Sequence, residues 1–148
     1  AAPTNCERRR TVGAVAPPRK PSPKSPNMPI KDIIDFATAK TEAEHYRPDP
    51  AKVLAGDPAQ SVQNHYSSPC GQFSTGVWAC EPGHWNISYS EHEYCEILEG
   101  ESILHDQQGG SRTLKTGDRF VIPAGFVGSW EVIKPTRKVY VIFEQTAG

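Results

Sequence analysis

Two ionisable residues sit in runs of strand-like alternation. They are Glu93, in Glu93-Tyr94-Cys95-Glu96-Ile97-Leu98, and Lys138, in Lys138-Val139-Tyr140-Val141-Ile142-Phe143. Side chains two apart on a strand share a face, so Glu93 travels with Cys95 and Ile97, and Lys138 with Tyr140 and Ile142. A carboxylate and an ammonium that meet inside a fold have two uses. They form a buried ion pair that holds register, or a binding pair in which Lys138 meets a carboxylate or carbonyl and Glu93 accepts from an amine or ureido N–H. Burial that raised the Glu93 pKa or lowered that of Lys138 would suit acid–base catalysis. Cys95 invites a nucleophilic role, but no histidine shares its expected face, and it reads first as a small core hydrophobe.

These residues need strands to hold them. From residue 72 onward short alternating runs are separated by turn signals. Gln72–Cys80 places Phe73, Thr75, Val77 and Ala79 on one face and Ser74, Gly76, Trp78 and Cys80 on the other. Glu81-Pro82-Gly83 is a turn, and His84–Ser90 alternates with Trp85, Ile87 and Tyr89 apolar. Glu93–Leu98 ends at Glu99-Gly100, Glu101–His105 continues after a bend, and Asp106–Gly110 reads as a hairpin loop. Ser111–Leu114, Arg119–Ile122, Gly128–Ile133 and Lys138–Phe143 complete an all-β set that predicts a sandwich or barrel. Residues 30–40 carry Ile30, Ile33, Ile34 and Ala37 at helical spacing, which predicts a short helix or an edge strand. Residues 41–71 are polar, contain Pro48, Pro50, Pro58 and Pro69, and read as an irregular arm.

Composition bounds the rest. With 148 residues the chain has room for one domain. Mean hydropathy of -0.56 predicts a soluble globular protein, and no apolar run is long enough to span a bilayer. The net charge of -1 argues against nucleic acid as a partner. That total hides an asymmetry: residues 1–27 carry +5 with six of the fourteen prolines, and residues 28–148 carry -6. The first segment is expected to be a disordered basic leader. The sole methionine, Met28, stands where this composition stops and marks the expected native start. Cys6, Cys70, Cys80 and Cys95 form no C-x-x-C pair, and reduced thiols in a cytoplasmic protein are expected.

Two stretches carry a recognisable pattern: Glu93 followed by six residues and Gly100, then Gly117, five residues, and Pro123-Ala124-Gly125. In this order they resemble the two signature motifs of the cupin superfamily, whose fold is a small double-sheet jelly-roll barrel. The expected domain plan is therefore a leader over 1–27, an irregular arm over 28–71 and a cupin barrel over 72–148. Gly76-Val77-Trp78, the run from Glu93 to Gly100, Gly125–Val132 and Pro135–Tyr140 are similar to the (S)-ureidoglycine aminohydrolase cupin-domain type.

The resemblance also frames the metal question. A metal-binding cupin of this kind would carry His-x-His three or four residues before Glu93, and a third histidine in the second motif. Those positions hold Ile87 and Tyr89, or Asn86 and Ser88 in the other register, and Gly128. The apolar set Trp85, Ile87 and Tyr89 should face inward with Glu91 and Glu93, which favours the first register. His84, His92, His105, His45 and His65 fall elsewhere, so neither a metal nor another cofactor is expected. The resemblance places Lys138 inside, and parity from Gly128 sends Trp130 and Val132 inward. The expected pocket is Glu93 and Lys138 as the catalytic pair, with Tyr89, Cys95, Trp130, Tyr140 and Trp78 binding a small-molecule ligand. The implied function is an enzyme of small-molecule nitrogen metabolism acting on an amino or ureido compound. A non-catalytic ligand-binding or sensor cupin and a structural domain with a filled interior are the alternatives. Apolar residues on both faces of the last strand suggest a homodimer.

Overall fold

The computed structural model describes residues 27–146, so the expected leader falls almost wholly outside the described residues. The strands are β1 (Glu44–Tyr46), β2 (Val53–Gly56), β3 (Gln60–Ser67), β4 (Phe73–Cys80), β5 (Gly83–Ser88), β6 (His92–Asp106), β7 (Ser111–Lys115), β8 (Arg119–Ile122) and β9 (Val127–Phe143). All pair antiparallel, in the path β1-β3-β4-β9-β5-β2, with β6 on the free edge of β9 and β7 and β8 beyond it. The sheet curls into a jelly-roll, because β9 meets β5 over Val127–Val132 and β4 over Thr136–Phe143 while β6 runs beside both halves. No helix among the described residues is long and apolar enough to cross a membrane.

Three departures from expectation have physical causes. Residues 41–71 are not an irregular arm, because β1 and β2 form there and β3 pairs with β4 from Gln60↔Cys80 to Ser67↔Ser74. The inward side chains of β3 include Gln60 and Asn64, which hydrogen-bond to Trp78 and Tyr140 rather than packing as apolar knobs. A strand whose core face is polar gives no hydrophobic alternation to read. The isoleucines at 30, 33 and 34 make only a 3-10 turn over Ile30–Asp32, with Ile30 87 % exposed, because this stretch has no core beneath it. The two expected C-terminal strands are one continuous β9 that carries Pro135 mid-strand.

Pro135 lies opposite a bend in β6, where the β6–β9 register shifts around Glu99 and Glu101. Gly100 sits at that bend with φ +92°, and a Cβ there would stand 2.1 Å from the Pro135 carbonyl oxygen. Only glycine fits both the left-handed backbone and the close approach. The bend turns the long β6–β9 ribbon over the core. Inside it lie Trp78, Trp85, Trp130, Ile97, Leu104, Leu114, Phe120 and Ile122, all buried. Trp78 stands edge-on to Trp130 at 5.5 Å, a favoured aromatic geometry.

Candidate functional site

Alternation delivers the inward set. On β9, Trp130, Val132, Thr136, Lys138 and Tyr140 are buried while Ile133, Lys134 and Arg137 are exposed. On β6, Glu93, Cys95 and Ile97 are buried. The antiparallel register sets Cys95 opposite Tyr140 and Ile97 opposite Lys138, which lets the Lys138 side chain reach back to Glu93. The second motif holds the remaining piece. Gly125 N donates to the Tyr89 carbonyl at 2.7 Å and Tyr89 N donates to the Phe126 carbonyl at 2.9 Å, so Tyr89, just past β5, is fixed beside Glu93.

Three donors converge on one carboxylate oxygen. Lys138 Nζ donates to Glu93 Oε1 at 2.9 Å, Tyr89 Oη at 3.1 Å and Cys95 Sγ at 3.1 Å. Glu93 Oε2 lies outside these three bonds. The ammonium stands 3.6 Å from Cys95 Sγ and 4.7 Å and 4.4 Å from the ring centres of Trp78 and Trp130. Such ammonium–ring contacts strengthen when desolvated. Burial alone would raise the Glu93 pKa, but the charge of Lys138 and the three hydrogen bonds outweigh it and hold the carboxyl below its ordinary value. Burial alone would lower Lys138, and the Glu93 charge reverses this and holds the ammonium above its ordinary value. Both directions are the reverse of those that acid–base work requires. Burial pushes the Cys95 thiol up to about 12, which removes the thiolate a nucleophile needs.

Above the pair opens a cavity of about 410 Å³, within the range of small-molecule sites. Of the expected residues, Trp78, Tyr89, Glu93, Trp130, Lys138 and Tyr140 line it. Cys95 does not. It is fully buried, and its short side chain ends beneath Glu93 rather than on the wall. Sequence reasoning missed Tyr46, Gln60, Val62 and Asn64, all on β1 and β3. The available signal was the Gln60–Val62–Asn64 spacing, a two-residue period with one apolar member.

The donor set does not fit a metal ion. At the positions where metal-binding cupins carry histidine this chain has Ile87, Tyr89 and Gly128. A Cβ at Gly128 would stand 2.0 Å from the His105 carbonyl oxygen, so that position is closed to a ligating side chain. Among the described residues no three His, Cys, Asp or Glu side chains cluster in a way that could hold a metal. Four of the five histidines are engaged elsewhere: His84 with Ser129 at 2.7 Å, His105 with Glu131 at 3.0 Å, His65 with Thr41 at 2.8 Å, and His92 with the Ala124 N–H at 3.1 Å.

Solved structures share this architecture. A DUF861-family protein of unknown function from Pseudomonas syringae pv. tomato superposes with a TM-score of 0.63 at 24 % identity, covering 70 % of this chain and 45 % of that one. The EutQ protein of Clostridium difficile gives 0.52 at 16 % identity, covering 58 % of this chain and 63 % of that one. A Thermotoga maritima protein described as a predicted oxalate decarboxylase gives 0.59 at 16 % identity, covering 76 % and 99 %. At these identities the likeness carries the fold alone. The chain spans less than two thirds of the length of the first two. No curated protein matches the sequence. The EutQ-like cupin domain model matches residues 67–140, half of the chain, from the end of β3 to the heart of β9. With both signature motifs inside that span, the chain belongs to the EutQ-like cupin domain family.

Proposed function

We propose that this domain binds a small molecule in its aromatic cavity, above a Glu93–Lys138 pair that stays ionised and fixed. The observation that carries this reading is the convergence of Tyr89, Cys95 and Lys138 on Glu93 Oε1 at the cavity floor. Three donors on one oxygen immobilise a carboxylate, which suits positioning a ligand better than passing protons.

The enzymatic reading is an activity on an amino or ureido compound, like that of the (S)-ureidoglycine aminohydrolase cupins, without the usual metal triad. Glu93 Oε2 supports it, as an acceptor for a substrate N–H. It also demands that Glu93 or Lys138 change protonation during turnover, against the direction in which each is held. Binding is therefore the favoured reading. Cys70, Cys80 and Cys95 are free thiols, which fits a cytoplasmic setting. Pairing into a homodimer through the outer faces of β4 and β9, where Phe73 is 38 % exposed, belongs to the same proposal. Light scattering that gives the mass of one chain at micromolar concentration would remove it.

The test of binding is a thermal-shift panel of amines, ureides, amides and carboxylates on the wild-type chain and on Tyr89→Phe, which keeps the ring and removes one donor to Glu93. At least one compound should raise the wild-type melting temperature, and Tyr89→Phe should weaken that rise. A panel that stabilises neither protein returns the domain to a structural role with a filled interior. Turnover of the stabilising compound would favour the enzymatic reading.

A further inference from the structure

This inference rests on the ligand-binding reading above and names the class of ligand the cavity takes. Tyr89, Cys95 and Lys138 all donate to Glu93 Oε1, and among the described residues no donor reaches Oε2. That oxygen is not sealed in. Among the described residues, Trp130 Nε1 is the one fully enclosed side-chain nitrogen or oxygen left without a partner. Glu93 is 5 % exposed and lines the cavity, so the access that Oε2 keeps is access from the cavity. A carboxylate oxygen only accepts, and buried polar atoms are normally paired, so a ligand that meets Oε2 must donate to it.

Charge decides between a neutral and a cationic donor. The charged side chains on the wall are Glu91, Glu93 and Lys138, which leaves one negative charge in excess. Lys138 is spent on Glu93, and among the described residues no cation pairs with the half-buried Glu91. A further carboxylate stands near Glu91, because Ser90 Oγ lies 3.2 Å from Glu91 Oε2 and 2.5 Å from Glu144 Oε1. One hydroxyl proton cannot serve both. Where water is excluded, uncompensated negative charge favours a cation, which also makes the stronger, charge-assisted bond to a carboxylate. Lys138 does not preclude this, since it holds the other oxygen and a carboxylate takes a donor on each. Tyr46, Trp85 and Tyr140 add ring surface to the same wall, and aromatic faces attract cations. We propose that the cavity selects an organic ammonium ion with at least one N–H, which donates to Glu93 Oε2 while Glu91 balances its charge. Of the amine and ureido partners expected for Glu93 from the sequence, the amine is the one selected.

Four probes on one benzyl skeleton separate charge from hydrogen bonding: benzylammonium, benzyl alcohol, phenylacetate and benzyltrimethylammonium. All three tryptophans line the cavity, so the indole N–H resonances of ¹⁵N-labelled wild-type protein report occupancy by NMR at neutral pH. Benzylammonium should move them and bind about tenfold more tightly than each of the other three. Glu91→Gln, with its fold checked by circular dichroism, should weaken benzylammonium several-fold and leave benzyl alcohol unchanged. Benzyl alcohol or phenylacetate binding as tightly as benzylammonium overturns the cationic class and leaves the ligand-binding reading standing. Benzyltrimethylammonium binding as tightly overturns the hydrogen bond to Glu93 Oε2, and an unchanged Glu91→Gln overturns the charge balance. Silence with all four probes, while another compound of the thermal-shift panel stabilises the protein, overturns this inference alone. Silence together with an inactive panel overturns the ligand-binding reading as well.

Discussion

Two ion pairs of nearly equal length sit in opposite surroundings. Arg47 Nε meets Asp57 Oδ1 at 2.8 Å with side chains 65 % and 68 % exposed. Lys138 Nζ meets Glu93 Oε1 at 2.9 Å with side chains 5 % and 7 % exposed. The Coulomb attraction scales with the inverse of the local dielectric, so equal distances do not mean equal coupling. At the surface, water and salt screen the attraction and two long side chains lose freedom to make it. In the barrel, water is excluded, and each charge depends on its partner to stay ionised. The inner pair is therefore conditional: intact it is tolerated, and broken it is costly.

The largest effect should come from breaking it on one side. Lys138→Met leaves a buried carboxylate without its cation and should cost about 3–5 kcal/mol in urea unfolding. The double variant Glu93→Gln with Lys138→Met should recover most of that loss. A cost below about 1 kcal/mol for the single change would mean that water reaches the pair, and would erase the contrast with Arg47–Asp57.

Titration breaks the same pair from outside. Glu93 is held below its ordinary 4.5, so its contribution is present above that pH and is lost as pH falls through the depressed folded value. Lys138 is held above its ordinary 10.5, so its contribution is fully present below that pH and is lost as pH rises through the raised folded value. Melting temperature of the wild type relative to the double variant should therefore be flat from about pH 5 to pH 10 and fall away outside that window. A step near neutrality would show that one member titrates there and would favour acid–base use.

Tyr89→Phe sharpens the comparison with a smaller change. It removes one hydrogen bond to a charged acceptor and should cost about 1.5–3 kcal/mol, with Lys138 and Cys95 still holding Glu93. The smallest effect belongs to the exposed pair. Asp57→Asn should leave the melting temperature unchanged at physiological salt, and any difference at low salt should vanish on adding sodium chloride. A loss that persists in salt would show that this pair also holds β1 and β2 in place.

The parts of the site that were legible came from alternation. Trp130, Lys138 and Tyr140 on one face of the last strand, and Glu93 with Cys95 on one face of β6, need only the two-residue period of a strand and one anchor for its direction. Gly100 and the Pro123-Ala124-Gly125 turn were legible because tight backbone geometry restricts residue choice. Gln60 and Asn64 were not. Their strand turns polar groups toward the cavity, and their partners, Trp78 and Tyr140, are 18 and 76 residues away in sequence, so a two-residue period with Val62 as its one apolar member was the only local signal.

The strand period of this chain is enough for an all-β sandwich or barrel and for most of its inward-facing residues, while the resemblance of Glu93–Gly100 and Gly117–Gly125 to the cupin motifs implies the jelly-roll and the ligand positions, which hold no histidine. These are local properties, set by which side chains share a face and which backbone positions demand glycine. Folding alone brought Lys138 within 2.9 Å of a carboxylate 45 positions earlier, moved Cys95 behind the wall, and left Glu93 Oε2 unpaired beside a cavity. Distances between remote strands, and the dielectric that makes them matter, exist only once the sheet has curled and expelled water.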